Sequence, residues 1–252
     1  MTPIKIPLPA INNAIREVCL ALEAGSQRPR SWASMTEDDL WRELVACILG
    51  SRVYFEVAHS AVERMERRHL FCKDRRSSRF NRYEQDIVRV LSKSGASGEQ
   101  SRYPFFRLRA KQIRQAAEWL SGGPESIRTF LEDSSDTRDA RRRLASEVPG
   151  LGPKQASLFL RNIGCATHIA VLDVHVLTYM SWVGLTEVPI RSVPTIQMYE
   201  ALENAFIEHA YSCGYGPDRF DLAVWVVVKV AKEEQTAWGL SHSYPAESTP
   251  PS

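Results

Sequence analysis

The sequence predicts an all-helical (all-α) protein. Apolar residues recur at helical spacing in several segments, as with Leu40, Leu44 and Ile48. Glycine and proline breaks separate these segments, and no internal repeat is visible. Residues 220–232 contain a valine-rich run that a buried strand would also show. Because no second segment offers this run a strand partner, we interpret it as a helix.

The composition is that of a globular protein of one or two domains. The 252 residues are 44% hydrophobic and 25% charged, which is ordinary for that class. The formal net charge is only +2, so any affinity for nucleic acid has to come from local basic patches. No apolar run reaches membrane-spanning length, and no signal core stands at the N-terminus. We therefore expect an intracellular, soluble protein (cytoplasm and nucleoid, or nucleus) without a membrane partner.

The five cysteines are odd in number and widely scattered. No pair has the spacing of zinc ligands, and the pattern does not indicate a disulfide framework. The cysteines are Cys19, Cys47, Cys72, Cys165 and Cys213.

The first third of the chain predicts helices at 11–22, at 40–49 and from residue 53. Thr36 and Asp39 have the spacing of a capping box before the second of these. The following segment, residues 64–82, is rich in arginine. Such a charge run usually forms a solvated face. A contact with a DNA backbone is the alternative, because interleaved aromatic residues such as Phe71 and Phe80 could anchor the loop.

The middle of the chain predicts helices at 83–91 and 111–120, and short ones at 125–131 and 136–148. Phe105 and Phe106 precede the second of these helices; they could stack on a base or simply pack. Four helices are expected after the glycine turn described next. The first ends at Gly164, the second ends near Trp182, the third runs from Pro194 to about Tyr211, and the fourth covers 220–232.

A glycine turn joins two predicted helices at Val148-Pro149-Gly150-Leu151-Gly152-Pro153-Lys154. Both glycines are expected to take a backbone path that a residue with a Cβ would resist. The turn and the start of the next helix expose several main-chain N–H groups, which suit a phosphate, and Lys154 lies in the first turn beside them. A tight connection with a solvated lysine would use the same residues.

A second pattern follows at Leu172-Asp173-Val174-His175. Asp173 stands at a predicted helix N-terminus, where capping alone would account for it. The spacing of Lys154 and Asp173 makes the combination more specific than either residue.

Residues 148–176 resemble the helix-hairpin-helix DNA glycosylases, and most closely the 8-oxoguanine DNA glycosylase branch, which carries both the Lys and the Asp. The resemblance is weaker over 40–120 and 217–228. Where the family has a Gly/Pro-rich loop before the Asp, this chain has Ala170-Val171-Leu172. Compact archaeal-type enzymes of that branch have similar apolar residues.

The resemblance implies two helical domains that flank a DNA-binding cleft. Residues 34–164 would form a helical barrel domain with the helix-hairpin-helix. Residues 165–240 would form a second helical domain, against which the N-terminal segment 1–33 would pack. The polar residues 241–252 are expected to form a disordered tail.

The resemblance also implies chemistry: excision of 8-oxoguanine from DNA in base excision repair. The Lys154 amine would attack C1′ of the deoxyribose and form a Schiff base, with Asp173 as its partner. β-Elimination would then give AP lyase activity. Excision of another lesion, such as an oxidised pyrimidine or an alkylated base, and a non-catalytic DNA-binding module are the alternatives.

The expected partner is double-stranded DNA with a damaged base, bound by a monomer. Gly150 and Gly152 would supply hairpin amides, and His175 would donate to a phosphate or be an ordinary histidine. By the resemblance, Arg52 and Arg109 would contact the orphaned base; a phosphate contact or a solvated position would equally explain them. Trp225 would line the base pocket or belong to the core. No cofactor or metal is required, no iron–sulfur cluster is expected, and a monovalent cation could bind the hairpin.

Overall fold

The computed structural model describes residues 6–25, 31–74, 79–93, 102–166, 168–190 and 192–237. Within these ranges the chain forms eleven α-helices and no strand, which confirms the helical prediction. The valine-rich run lies inside the last helix. The helices are α1 (Leu8–Ala24), α2 (Glu37–Leu49), α3 (Phe55–Glu66), α4 (Phe80–Leu91), α5 (Phe106–Gly122), α6 (Ile127–Glu132), α7 (Thr137–Glu147), α8 (Pro153–Asn162), α9 (Val174–Trp182), α10 (Ile196–Ser212) and α11 (Pro217–Ala237).

Polar caps fix where several helices begin. The predicted capping box is confirmed: Thr36 Oγ1 accepts from the Asp39 amide at 3.1 Å, and the Asp39 carboxylate accepts from the Thr36 amide at 3.1 Å. The side chains of Ser126, Asp136 and Thr195 accept from first-turn amides of α6, α7 and α10. These local rules explain why short polar stretches end one helix and start the next.

The larger of two compact units contains α2 to α8 and α10. We call it the hairpin unit. Its core is a single cluster of buried apolar side chains from α2 to α8. Trp41 donates from Nε1 to the Tyr83 hydroxyl at 3.2 Å, and that hydroxyl donates to the Leu70 carbonyl at 2.9 Å. The aromatic residues of this core therefore have their polar atoms bonded.

The second unit contains α1, α9 and α11 from Arg219 onward. We call it the terminal unit. The Tyr179 hydroxyl of α9 donates to Asn12 Oδ1 of α1 at 3.2 Å, and the Tyr179 ring meets Phe220 of α11 edge to face. Arg219 pairs with Glu23 at 3.0 Å. Helices from the two ends of the chain thus pack on α9.

The units divide the chain differently from the predicted boundary at 164/165. The hairpin unit extends to Val171 and also includes α10, which the sequence assigns to the second domain. The physical reason is a set of polar contacts that tie α10 to α7 and to Ala170, described below. The predicted tail at 241–252 lies outside the described residues. No helix in the described ranges is both long and apolar enough to cross a bilayer.

Candidate active site

The glycine turn between α7 and α8 is built around Gly150. Gly150 has φ +94°, and a Cβ there would come within 3.1 Å of Ile48 Cγ2 and 3.2 Å of the Gln112 side chain. The Leu151 amide donates to the Val148 carbonyl at 3.2 Å and closes the turn. Gly150 is therefore required both by its left-handed backbone and by the close approach of α2 and α5.

Gly152 has a different reason to be glycine. Its φ of −93° is open to any residue, and a Cβ would meet nothing within 4 Å. The expectation that both glycines resist a Cβ is therefore wrong for Gly152. As the N-cap of α8 it is exposed and supplies no side-chain acceptor to the first turn. The space where a Cβ of Gly152 would lie is open, so a ligand could approach the backbone closely at this residue.

Lys154 lies in the first turn of α8, directly after Pro153, and is partly exposed. Its charge acts on the thiol of Cys47 in α2. Burial raises the pKa of Cys47 well above its ordinary value, with help from Glu43, while the positive charges of Lys154 and Arg161 oppose this. The nearby thiol thus stays protonated at neutral pH and does not compete as a nucleophile.

Side chains from outside α2 bind three carbonyls at its C-terminus. Gln155 Nε2 donates to the Cys47 carbonyl at 2.8 Å, the Tyr103 hydroxyl to Leu49 at 2.6 Å, and Arg109 Nη2 to Ser51 at 2.8 Å. The last carbonyls of a helix have no partner inside the helix. Through Gln155 the end of α2 is fixed relative to the start of α8, and through Arg109 the turn after α2 is fixed relative to α5.

Arg52 and Arg109, predicted as a pair that contacts the orphaned base, occupy opposite environments. Arg52 is exposed and has φ +63°, an unusual conformation for a residue other than glycine. Arg109 is only 5% exposed, and its guanidinium also donates to Gln112 Oε1 at 2.7 Å. Because Arg109 is buried against Ser51 and Gln112, it is not placed to contact a base or a phosphate, and it is not solvated. The arginine supports the turn that carries Arg52.

Phe105 and Phe106 also differ from each other. Phe105 is 39% exposed, whereas Phe106 is partly buried against the core. The guanidinium of Arg102 lies 4.8 Å from the centre of the Phe106 ring, and that of Arg107 lies 5.7 Å from it. Both phenylalanines line an open surface depression with Arg102, Pro104, Arg107 and Leu108. Phe106 is held by packing and cations, and Phe105 is the one available for stacking.

In the terminal unit, Asp173 is the N-cap of α9, as the sequence predicts. Its Oδ1 accepts from the amides of His175 at 2.8 Å and Val176 at 2.9 Å. Two hydrogen bonds to one oxygen fix the carboxylate group, and the helix dipole favours its negative charge. The side chain is partly exposed.

His175 and Trp225 lie against each other beside this cap. Their rings meet edge to face with centroids 6.2 Å apart. Burial lowers the pKa of His175, and the nearby Lys232 and Lys229 lower it further, against the opposing effect of Asp173. Its Nδ1 is buried and has no hydrogen-bond partner among the described residues. His175 is therefore a neutral, half-buried ring at pH 7, and Trp225 is partly exposed beside it.

Two lysines of α11, which sequence reasoning did not single out, complete this cluster. Lys229 Nζ lies 5.1 Å from the centre of the Trp225 ring. Lys232 Nζ donates to Thr178 Oγ1 at 2.7 Å. Burial lowers the pKa of Lys232, and the charge of Asp173 acts in the opposite direction. The spacing of 225, 229 and 232, which is one helix face, is the pattern that could have indicated them.

The arginine-rich segment is only partly described, because residues 75–78 lie outside the described ranges. Arg67, Arg68, Arg79 and Arg82 are exposed. Arg64 is only partly exposed and donates to the Lys93 carbonyl at 2.5 Å. Both interpretations of this segment stay predictions.

The structure thus groups the predicted site residues into two sets. Lys154, Gly150, Gly152, Arg52, Arg109, Phe105 and Phe106 belong to the hairpin unit, and Asp173, His175 and Trp225 belong to the terminal unit.

Several known proteins are similar to this chain in sequence or in structure. A Saccharolobus islandicus protein named 8-oxoguanine DNA glycosylase/AP lyase is 27% identical over 194 residues, which cover 76% of this chain and 84% of the relative. The structure of Methanocaldococcus jannaschii 8-oxoguanine DNA glycosylase matches with a TM-score of 0.66 at 19% identity, covering 86% of this chain and 92% of that one. A structure of the M. jannaschii glycosylase/lyase in complex with a 15-mer DNA containing 8-oxoguanine matches with a TM-score of 0.60, again at 19% identity, and covers 86% of this chain and 88% of that chain.

At these identities the two solved structures establish the fold. The family follows from the sequence profile: the model described as Ogg-HhH, 8-oxoguanine DNA glycosylase, matches residues 26–215. That range is more than half of the chain and contains both Lys154 and Asp173, so this protein belongs to the 8-oxoguanine DNA glycosylase family.

Proposed function

We propose that this protein excises 8-oxoguanine from double-stranded DNA and cleaves the resulting site as an AP lyase, with Lys154 as the nucleophile and Asp173 as its partner. The observation that carries the proposal is the family match over 26–215, which contains both residues. The relative from S. islandicus carries the same pair of activities in its name. One chain supplies every residue that the proposal uses, so the expected working state is a monomer.

The chemistry assigned to Lys154 needs a neutral amine. A free lysine has a pKa of about 10.4 and is protonated at pH 7. The α8 N-terminus favours loss of the proton, because the helix dipole is positive there, and the covering of the amine by bound DNA would add to this. The amine then bonds to C1′ as the bond from C1′ to the base breaks, and the base leaves with a proton.

Asp173 would stabilise the positive charge that develops on the sugar and exchange protons with the amine. Its cap bonds to two amides keep the carboxylate in one orientation. The C1′–O4′ bond then breaks as the second amine proton moves to O4′, which gives the Schiff base and opens the sugar ring. Removal of a C2′ proton breaks the C3′–O bond and expels the 3′ phosphate. No cofactor takes part in these steps. A monovalent cation at the hairpin stays a prediction because no step depends on it.

The remaining residues are assigned to DNA binding. A nucleotide must leave the duplex before C1′ can be reached, which costs a few kcal/mol. We assign a phosphate contact to the amides at Gly150 and Gly152, and a contact with the orphaned base to Arg52. Arg109 holds the backbone of the neighbouring residue in place by donating to the Ser51 carbonyl. Trp225 is assigned to the base pocket, His175 to a phosphate contact, and Phe105 to stacking on a base.

Borohydride trapping tests the proposal. A duplex with 8-oxoguanine should give a covalent protein–DNA adduct with the intact chain, and none with Lys154→Gln. Lys111→Gln, at an exposed lysine of α5, is the matched control and should trap normally. Adduct formation by Lys154→Gln would remove Lys154 from the mechanism. Excision of thymine glycol or an alkylated base, but not of 8-oxoguanine, in a panel of duplexes would replace the substrate.

A further inference from the structure

The peptide groups on both sides of Ala170 are bound by side chains from one helix. Its amide donates to Glu203 Oε1 at 3.0 Å, and its carbonyl accepts from the Tyr199 hydroxyl at 2.9 Å. Tyr199 and Glu203 are four residues apart on α10, so they lie on one face about 6 Å apart along the axis. Ala170 is in the non-helical segment between α8 and α9, three residues before Asp173.

A buried arginine holds both of these side chains. Arg141 of α7 and Glu203 have no exposed side-chain surface, and Arg141 Nη1 donates to Glu203 Oε1 at 2.5 Å. The guanidinium lies 5.3 Å from the centre of the Tyr199 ring, and its Nη2 donates to Glu200 at 3.1 Å. Burial acts to lower the pKa of Arg141, but its bonds to Glu203 and Glu200 outweigh burial and raise it. The arginine therefore stays charged and keeps Glu203 in place.

This arrangement is an inefficient way to stabilise a core. A buried ion pair gives up hydration that its Coulomb attraction often fails to restore, and apolar replacements are often neutral or stabilising. Here Arg141 Nε and Glu203 Oε2 are also buried without a hydrogen-bond partner among the described residues. What apolar side chains cannot supply is an acceptor for the Ala170 amide. Fixing that peptide is the specific consequence of the pair.

We propose that Tyr199 and Glu203 are positioning residues for Asp173. They fix the chain at Ala170, just before Leu172 passes into the terminal unit, and so set where the segment to Asp173 begins. The inference rests on the proposed function, in which Asp173 acts at the sugar. Misplacing a reacting group by about 1 Å can cost about 100-fold in rate. Loss of either contact should therefore slow chemistry without weakening DNA binding.

The first test compares two buried tyrosines. Tyr199→Phe removes only the hydroxyl that binds the Ala170 carbonyl, and Tyr83→Phe removes a hydroxyl that binds the Leu70 carbonyl elsewhere in the same unit. Single-turnover excision of 8-oxoguanine at saturating enzyme should fall by about 10- to 100-fold in Tyr199→Phe. It should stay near the intact rate in Tyr83→Phe, and the Kd for the duplex should be unchanged in both. Equal rates in the two variants would overturn the proposal.

The second test separates the acceptor from the ion pair. Replacing Glu203 alone would leave a buried Arg141 without its partner, so both tested chains carry Arg141→Met. Combined with Glu203→Gln the chain keeps an acceptor for the Ala170 amide, and combined with Glu203→Leu it loses that acceptor. The Gln combination should excise near the intact rate and the Leu combination about 10- to 100-fold more slowly. Equal excision by the two folded combinations would contradict the proposal.

Asp173→Asn distinguishes this inference from the proposed function. If Asp173→Asn excises normally, the role of Asp173 fails and the proposed function must be revised. If Asp173→Asn is inactive while Tyr199→Phe and the Leu combination are fully active, the proposed function stands and only the positioning role is wrong.

Discussion

Arg109 Nη2 donates to the carbonyl of Ser51 at 2.8 Å, across 58 residues of sequence. This bond joins a buried guanidinium to the residue directly before the exposed Arg52, whose φ is +63°. A non-glycine residue holds that conformation only where its surroundings enforce it. The turn after α2 is therefore fixed from the inside by one arginine and presents another to solvent.

Replacing Arg109 by Met tests this division of roles. The change leaves the Ser51 carbonyl and Gln112 without their donor, so unfolding should become easier by about 1–3 kcal/mol. The salt dependence of DNA binding should stay unchanged, because a buried guanidinium neutralises no phosphate. Lys111→Met, an exposed position on the same helix, is the control for loss of charge. A salt slope reduced by about one in Arg109→Met, with unaltered stability, would indicate a phosphate contact instead.

The two hairpin glycines should respond differently to the same substitution. Gly150→Ala forces a Cβ to within 3.1 Å of Ile48 at φ +94° and should destabilise the fold by about 1–3 kcal/mol. Gly152→Ala should cost at most about 1 kcal/mol, as a change of N-cap residue. If a phosphate approaches the backbone at Gly152, its added methyl should nevertheless weaken duplex binding. Urea unfolding and DNA titration measure the two effects, and the opposite ranking in stability would contradict the geometry.

The sequence predicts well what depends on near neighbours. The Thr36–Asp39 capping box, the cap at Asp173 and the left-handed turn at Gly150 are set by residues within a few positions, and simple rules find them. Arg109 could not be assigned in this way, because its acceptor at Ser51 becomes a neighbour only in the folded chain. The contacts of Glu203 on α10 with Arg141 and the Ala170 amide also form only in the folded chain, so the sequence does not reveal that they tie α10 to the hairpin unit.

Replacing Lys232 should lower activity without lowering stability. Its half-buried ammonium donates to Thr178, and the negative charge of Asp173 acts to raise the pKa of this lysine against the effect of burial. Lys232→Met removes a charge that burial disfavours, so the melting temperature at pH 7 should stay level or rise, while single-turnover excision should fall. Lys229→Met, one turn away over the Trp225 ring, is the matched control and should lose less activity. Excision that is unaffected in Lys232→Met would separate this lysine from Asp173.

His175 should make the fold sensitive to mild acid. Its pKa in the folded protein is below the ordinary value, mainly because of burial, so the unfolded chain binds a proton more readily than the folded one. The stability that the neutral ring contributes is therefore present above about pH 6.5, the ordinary histidine pKa, and is lost as the pH falls through the lower folded value. Between pH 7.5 and pH 5, His175→Asn should lose less free energy of unfolding than the intact chain. His209 also has a pKa lowered by burial, so His209→Asn must be measured in parallel. If the pH dependence disappears with His209 and persists without His175, the acid sensitivity lies in α10 and not beside Asp173.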